Sequence, residues 1–119
     1  MEAHEALKFF LENVLCDKKE RYLGFISKPK SRKKFLNTIY HELEGTLDSS
    51  KKQYVLSNEI LCKPAFVFEP PMTYGERVSS LKRACDVFEE SFLAISEDGM
   101  FGIYGPETFI DSRAFYAAT

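Results

Sequence analysis

Leu7, Phe10, Leu11, Val14 and Leu15 recur at i, i+3, i+4, i+7 and i+8, with Glu5, Lys8 and Glu12 between them and Phe9 on a flank. That period predicts an amphipathic helix over residues 3–15, apolar on one side and charged on the other. Over residues 17–30, Tyr22, Leu23, Phe25 and Ile26 keep a helical spacing, but Gly24 interrupts them. A glycine inside a helix costs about 1 kcal/mol against alanine, so this stretch predicts either a continuation or a second short helix. Lys28, Pro29, Lys30 and Ser31 form a turn, because the residue before a proline is pushed out of the α region. Ser31 is placed to cap the next helix by accepting a hydrogen bond from a first-turn amide. Phe35, Leu36, Ile39, Tyr40, Leu43 and Leu47 supply that helix with a regular apolar stripe.

Residues 48–52 are a polar connector. A piece of about 50 residues on one side of it would make a marginal domain, so one α+β domain over residues 1–119 is expected. The pattern then changes period. Tyr54, Val55 and Leu56, and after them Ala65, Phe66, Val67 and Phe68, are β-branched and aromatic runs that predict strands, the second stopped by Pro70 and Pro71. Thr73 followed by Glu76 has the spacing of a capping box, which predicts a helix from there to about residue 87 with Val78, Leu81, Cys85 and Phe88 inward. Phe92 to Ile95 and Met100 to Tyr104 flank Glu97, Asp98 and Gly99; Asp-Gly supplies the positive φ of a tight hairpin turn. Gly102 inside the returning strand marks a bulge or a close packing contact. Phe109, Ile110, Phe115 and Tyr116 are expected to pack back onto the sheet. The fold class is therefore α+β: a helical N-terminal half, a small antiparallel sheet with a C-terminal β-hairpin, and helices covering one face.

Composition supports a folded chain. Apolar residues make up 45% and aromatics 14%, and the net charge is only −2, the reverse of what disorder requires. No run approaches the length of a membrane span. The start, with Glu2 and Glu5, is acidic where an export signal would be basic, so a reducing cytoplasm is expected. Cys16, Cys62 and Cys85 fit that compartment as three reduced, partly buried thiols.

The small net charge hides a dipolar chain. Lys18, Lys19, Arg21, Lys28, Lys30, Arg32, Lys33 and Lys34 crowd into one stretch with a single acid, Glu20. From Asp86 on, Glu89, Glu90, Glu97, Asp98, Glu107 and Asp111 face only Arg113. Arg32, Lys33 and Lys34 also sit at the positive end of their helix, each costing a few tenths of a kcal/mol unless something anionic meets them. Arg21, Lys28, Lys30, Arg32, Lys33 and Lys34 are thus the candidate anion or nucleic-acid residues, helped by free amides at the helix start and by stacking on Tyr22 and Phe25. Glu97, Asp98, Glu107 and Asp111 are the candidate acidic partner surface. The bland alternative is a solvated surface in which the basic and acidic parts face each other.

Catalytic chemistry finds little support. His4 and His41 are isolated, and no spacing supplies the converging ligands of a zinc site. The threefold glycine spacing of Gly99, Gly102 and Gly105 lies between hairpin strands, not in the βαβ unit that a dinucleotide fingerprint needs. No metal, cofactor or catalytic residue is expected. The favoured function is a small non-enzymatic interaction module that binds a protein partner or itself by electrostatic steering. The alternatives are nucleic-acid or phosphate binding through residues 18–34, and an enzyme assembled from His41, a cysteine and the late carboxylates.

Overall fold

A computed structural model describes residues 1–88, 91–105 and 114–118, apart from the side chains of Tyr40 and His41. The first amphipathic stripe forms α1 (Ala3–Val14), with Ala6, Leu7, Phe10, Leu11 and Val14 buried. The helix stops because the chain turns extended at Leu15 and pairs with a later segment. Leu15 bridges Leu47, the Cys16 amide donates to the Thr46 carbonyl at 2.8 Å, and the Asp48 amide donates to the Val14 carbonyl at 2.7 Å. Lys18 then takes a left-handed conformation (φ 55°) and the chain restarts as α2 (Lys19–Ser27). The ambiguous stretch is a second helix, buried through Tyr22 and Ile26.

A 3-10 turn (Pro29–Ser31) leads into α3 (Arg32–His41). The expected Ser31 cap is absent. At φ −98° and ψ −3° the residue is already helical, not extended as a capping residue must be, and its hydroxyl makes no capping bond. The stripe expected to run to residue 47 as one helix breaks at Glu42 and resumes as one turn, α4 (Leu43–Thr46). Another 3-10 turn (Ser49–Lys51) crosses to the sheet.

Six strands among the described residues make one antiparallel sheet: β1 (Lys52–Gln53), β2 (Ala65–Glu69), β3 (Thr73–Val78), β4 (Phe92–Ser96), β5 (Phe101–Gly105) and β6 (Ala114–Ala117). Their order is β1-β6-β5-β4-β2-β3. The Asp-Gly hairpin is β4–β5, with Ala94 opposite Ile103 and Gly99 at φ 76° in its turn. Phe115 and Tyr116 return as β6, beside Ile103 and Gly102; Phe109 and Ile110 lie outside the described residues. Alternation along the strands builds two cores. Phe66, Phe68, Leu93, Ile95, Tyr104 and Tyr116 pack with α1, α2 and α3 on the larger face. Ala65, Val67, Phe92, Ala94 and Ile103 meet Leu56, Leu81 and Ala84 on the other. With both faces covered, β2 and β4 read as unbroken apolar runs rather than alternating ones. The larger face is the one the helical N-terminal half covers. The smaller lies under α5 (Asn58–Leu61) and α6 (Leu81–Val87).

Two expected elements are placed otherwise. Tyr54, Val55 and Leu56 form no strand. Only Lys52 and Gln53 pair, with Tyr116 and Phe115; the chain then leaves the sheet edge to bury Leu56 in the smaller core, with Tyr54 86% and Val55 85% exposed. Residues 73–78 are not a helix start but the edge strand β3, paired to β2 across a bulge at Val67/Phe68. Gly75 explains the conflict: its φ of 77° suits glycine, and a Cβ added there would lie 2.6 Å from Ala3 Cβ at the start of α1, so only a residue without a side chain lets β3 pass there. Helix α6 begins only at Leu81, and its cap is Ser80, whose hydroxyl accepts from the Arg83 amide at 3.0 Å. Leu81 is inward as expected, joined by Ala84, with Val78, Cys85 and Phe88 partly buried.

Candidate functional site: a basic helical face

The cationic stretch wraps one end of the helical layer as α2, the Pro29–Ser31 turn and the start of α3. Burial of Tyr22 and Ile26 on one side of α2 turns Lys19 and Arg21 outward; burial of Phe35, Leu36 and Ile39 does the same for Lys33, Lys34 and Asn37 on α3. Lys28 and Lys30 are exposed in the turn. Among the described residues, Lys18 is the one member of this group in an ion pair, with the Glu42 carboxylate at 3.9 Å. Lys19, Arg21, Lys28, Lys30, Lys33 and Lys34 are therefore exposed cations on this part of the helical layer, with Glu20 the acid among them.

Arg32 differs from its neighbours. Its guanidinium lies 4.8 Å from the centre of the Tyr74 ring, and its Nε donates to the Ile26 carbonyl at 3.5 Å. It ties the turn to β3 rather than facing solvent. Tyr74 in turn packs edge-on against Phe68 and reaches His4 Nδ1 at 3.5 Å. Burial raises the Tyr74 phenol, against the opposing pull of Arg32.

Between α2 and α3 the basic face opens into a groove of about 340 Å³, lined by Arg21, Phe25, Lys34, Asn37, Thr38 and Glu42. Arg21 and Phe25 are one turn apart on α2, and the Arg21 guanidinium lies 5.4 Å from the centre of the Phe25 ring. Lys34, Asn37, Thr38 and Glu42 descend α3 at successive turns, so cations mark one part of the groove and a carboxylate its end. That carboxylate is itself engaged: Tyr22 donates its hydroxyl to Glu42 Oε2 at 3.4 Å, opposite Lys18. Burial first, and Glu42 second, raise the Tyr22 phenol.

The structure divides the predicted anion site. Arg21 and Lys34 line one groove, Lys28, Lys30 and Lys33 are exposed but not part of its lining, and Arg32 is withdrawn into structure. Two amides at the helix start are also engaged, since Ser31 donates to the Lys28 carbonyl and Arg32 to the Pro29 carbonyl. Tyr22 cannot stack on a base, because it is fully buried against Phe35. Phe25 is half-buried under Arg21. Asn37, Thr38 and Glu42 were missed; their i, i+3, i+4, i+8 spacing from Lys34 was readable, but not that α2 would lie across it.

The acidic surface is likewise taken apart. Glu97 pairs with Arg77 and Asp98 with Lys63, both at 3.1 Å. Burial alone would raise the Asp98 carboxyl, but hydrogen bonds from Ser96 Oγ, the Met100 amide and Lys63 outweigh it and hold the group low. These two acids are hairpin-turn chemistry, neutralised by cations that the strand register brings near. Glu107 and Asp111, like Glu89 and Glu90, lie outside the described residues, as does the His41 side chain of the enzymatic alternative. Cys16 and Cys62 are exposed rather than partly buried, because each follows the end of a helix; Cys85 is half-buried as expected. No helix among the described residues is long and apolar enough to cross a membrane. No protein-family model, no curated protein and no solved structure matches this chain.

Proposed function

We propose that this chain is a non-enzymatic binding module that recognises an acidic segment of a protein partner on the α2–α3 face. The observation that carries this is the charge balance. The cations of residues 18–34 other than Arg32 stand outward, with one ion pair among them in the described structure, while Glu97 and Asp98 are neutralised locally. Complementary charge steers encounter and selects partners even where it adds little affinity. Self-association through the Glu97–Asp98 turn has less support, since both carboxylates are engaged within the chain.

Nucleic acid is the second reading, favoured by the same surface. One observation weakens it: Tyr22 is buried and the face of Phe25 lies under Arg21, so neither is free for bases. The test is fluorescence anisotropy with a labelled glutamate-rich peptide, a single-stranded RNA and a DNA duplex, at low and physiological salt. The peptide is expected to bind and to weaken as salt rises. Lys33→Glu with Lys34→Glu should reduce its affinity by about tenfold or more, the equivalent of roughly 1.4 kcal/mol. An unchanged affinity in that variant, or no peptide binding at low salt, overturns the proposal. RNA or duplex binding that outlasts peptide binding at physiological salt replaces it with the second reading.

A further inference from the structure

We infer that the groove between α2 and α3 is a pocket for one phosphorylated side chain of the partner, a phosphoserine or phosphothreonine within its acidic segment. This rests on the proposed function and names the group that the face selects. Three residues with donors of different kinds line it from two helices: Arg21 with a guanidinium, Lys34 with an ammonium and Asn37 with an amide. A phosphoryl group offers three equatorial acceptor oxygens and close to two negative charges. The stoichiometry fits. Glu42 already faces Lys18 and the Tyr22 hydroxyl, which leaves Arg21 and Lys34 as two cations without a carboxylate partner among the described residues. A single carboxylate would balance only one of them.

Arg21 is the residue best suited to select phosphate. Its guanidinium lies 5.4 Å from the centre of the Phe25 ring, a contact that limits its rotamers at the groove. A guanidinium's planar fork binds phosphate bidentately, whereas lysine acts as a point charge. The remaining cations, Lys28, Lys30 and Lys33, lie outside it and provide the unselective attraction for the acidic flanks.

The experiment uses three peptides identical but for one central position, phosphoserine, glutamate or serine, in a glutamate-containing sequence. Anisotropy against the whole chain should give the phosphoserine peptide an affinity about tenfold above the glutamate peptide, since a phosphoryl group brings close to two charges and three acceptor oxygens where a carboxylate brings one charge and two. Arg21→Lys, which keeps the charge and loses the fork, should remove most of that preference. Lys28→Ala should weaken all three peptides alike. The phosphoserine preference should grow as pH rises through about 6, where the phosphomonoester takes its second charge, with no such rise for the glutamate peptide. Equal binding of phosphoserine and glutamate peptides overturns the pocket and leaves the acidic-partner function standing. A preference that survives Arg21→Lys and Lys34→Ala together also overturns it. Binding of none of the three peptides removes the underlying function as well.

Discussion

Two glycines show how much a single hydrogen-for-methyl exchange depends on its surroundings. Gly24 sits in α2 with nothing within 4 Å of the position its Cβ would take. Gly24→Ala is expected to stabilise the protein by about 0.4–1 kcal/mol, because it narrows the unfolded ensemble and improves helix propensity. Gly102 is the opposite case: an added Cβ would lie 2.6 Å from Phe10 Cε1 and closer still to Cζ, against a ring that is wholly buried. Gly102→Ala should destabilise by about 1–3 kcal/mol or more through overpacking. Urea unfolding midpoints of the two variants check both signs; a neutral Gly102→Ala would mean that α1 does not seat Phe10 on β5. From the chain alone Gly102 was recognisable as a bulge or a close contact. Phe10, some ninety residues earlier, was not recognisable as what it touches.

At the scale of elements, α3 carries an internal conflict. Arg32, Lys33 and Lys34 form its first turn, no acid stands there, and no side chain caps its start. Buried Phe35, Leu36 and Ile39 hold the helix despite this. Lys33→Glu with Lys34→Glu should therefore raise stability, on the order of 1 kcal/mol at low salt and less as salt screens it. Thermal or urea unfolding at two salt concentrations measures this. A rise in stability together with lost peptide binding is what a surface kept for recognition predicts; a fall in stability would mean these lysines have intramolecular partners. The conflict was visible in the sequence as misplaced charge. The competing signal at Thr73 and Glu76 misled for an equally physical reason: local capping geometry is worth about 1 kcal/mol, and pairing of residues 73–78 along the whole length of β2 outweighs it.

For the whole molecule, pH is the informative variable. Burial raises the phenols of Tyr22, Tyr74, Tyr104 and Tyr116, Tyr104 most. A raised folded value means that the unfolded chain releases its protons first. The stabilisation is then complete below the unfolded value of about 10 and is lost as pH climbs from there towards the folded values. The urea midpoint should be steady up to about pH 9.5 and fall beyond it. Tyr104→Phe should soften that fall. The same change should lower stability at neutral pH by about 1–2 kcal/mol, because Tyr104 donates a buried hydrogen bond of 2.7 Å to the Ile39 carbonyl. A midpoint flat through pH 11 would contradict a sheet whose larger face buries its tyrosines under the helices.

Periodicity by itself determined α1, most of α3, β2, the β4–β5 hairpin and the α+β class, since the 3.6 and 2 residue periods are local properties of the backbone. It also showed that charge is segregated along the chain. Only the tertiary structure decided which charges meet. Lys63 and Arg77 reach Asp98 and Glu97 through the register of β2, β3 and β4. Arg32 is drawn to Tyr74 because β3 passes beneath the turn. Arg21 and Lys34 line one groove because α2 and α3 fold back on each other across Pro29. A charge interacts over a few ångströms whatever its separation in sequence, so the candidate site exists only once packing has set the distances.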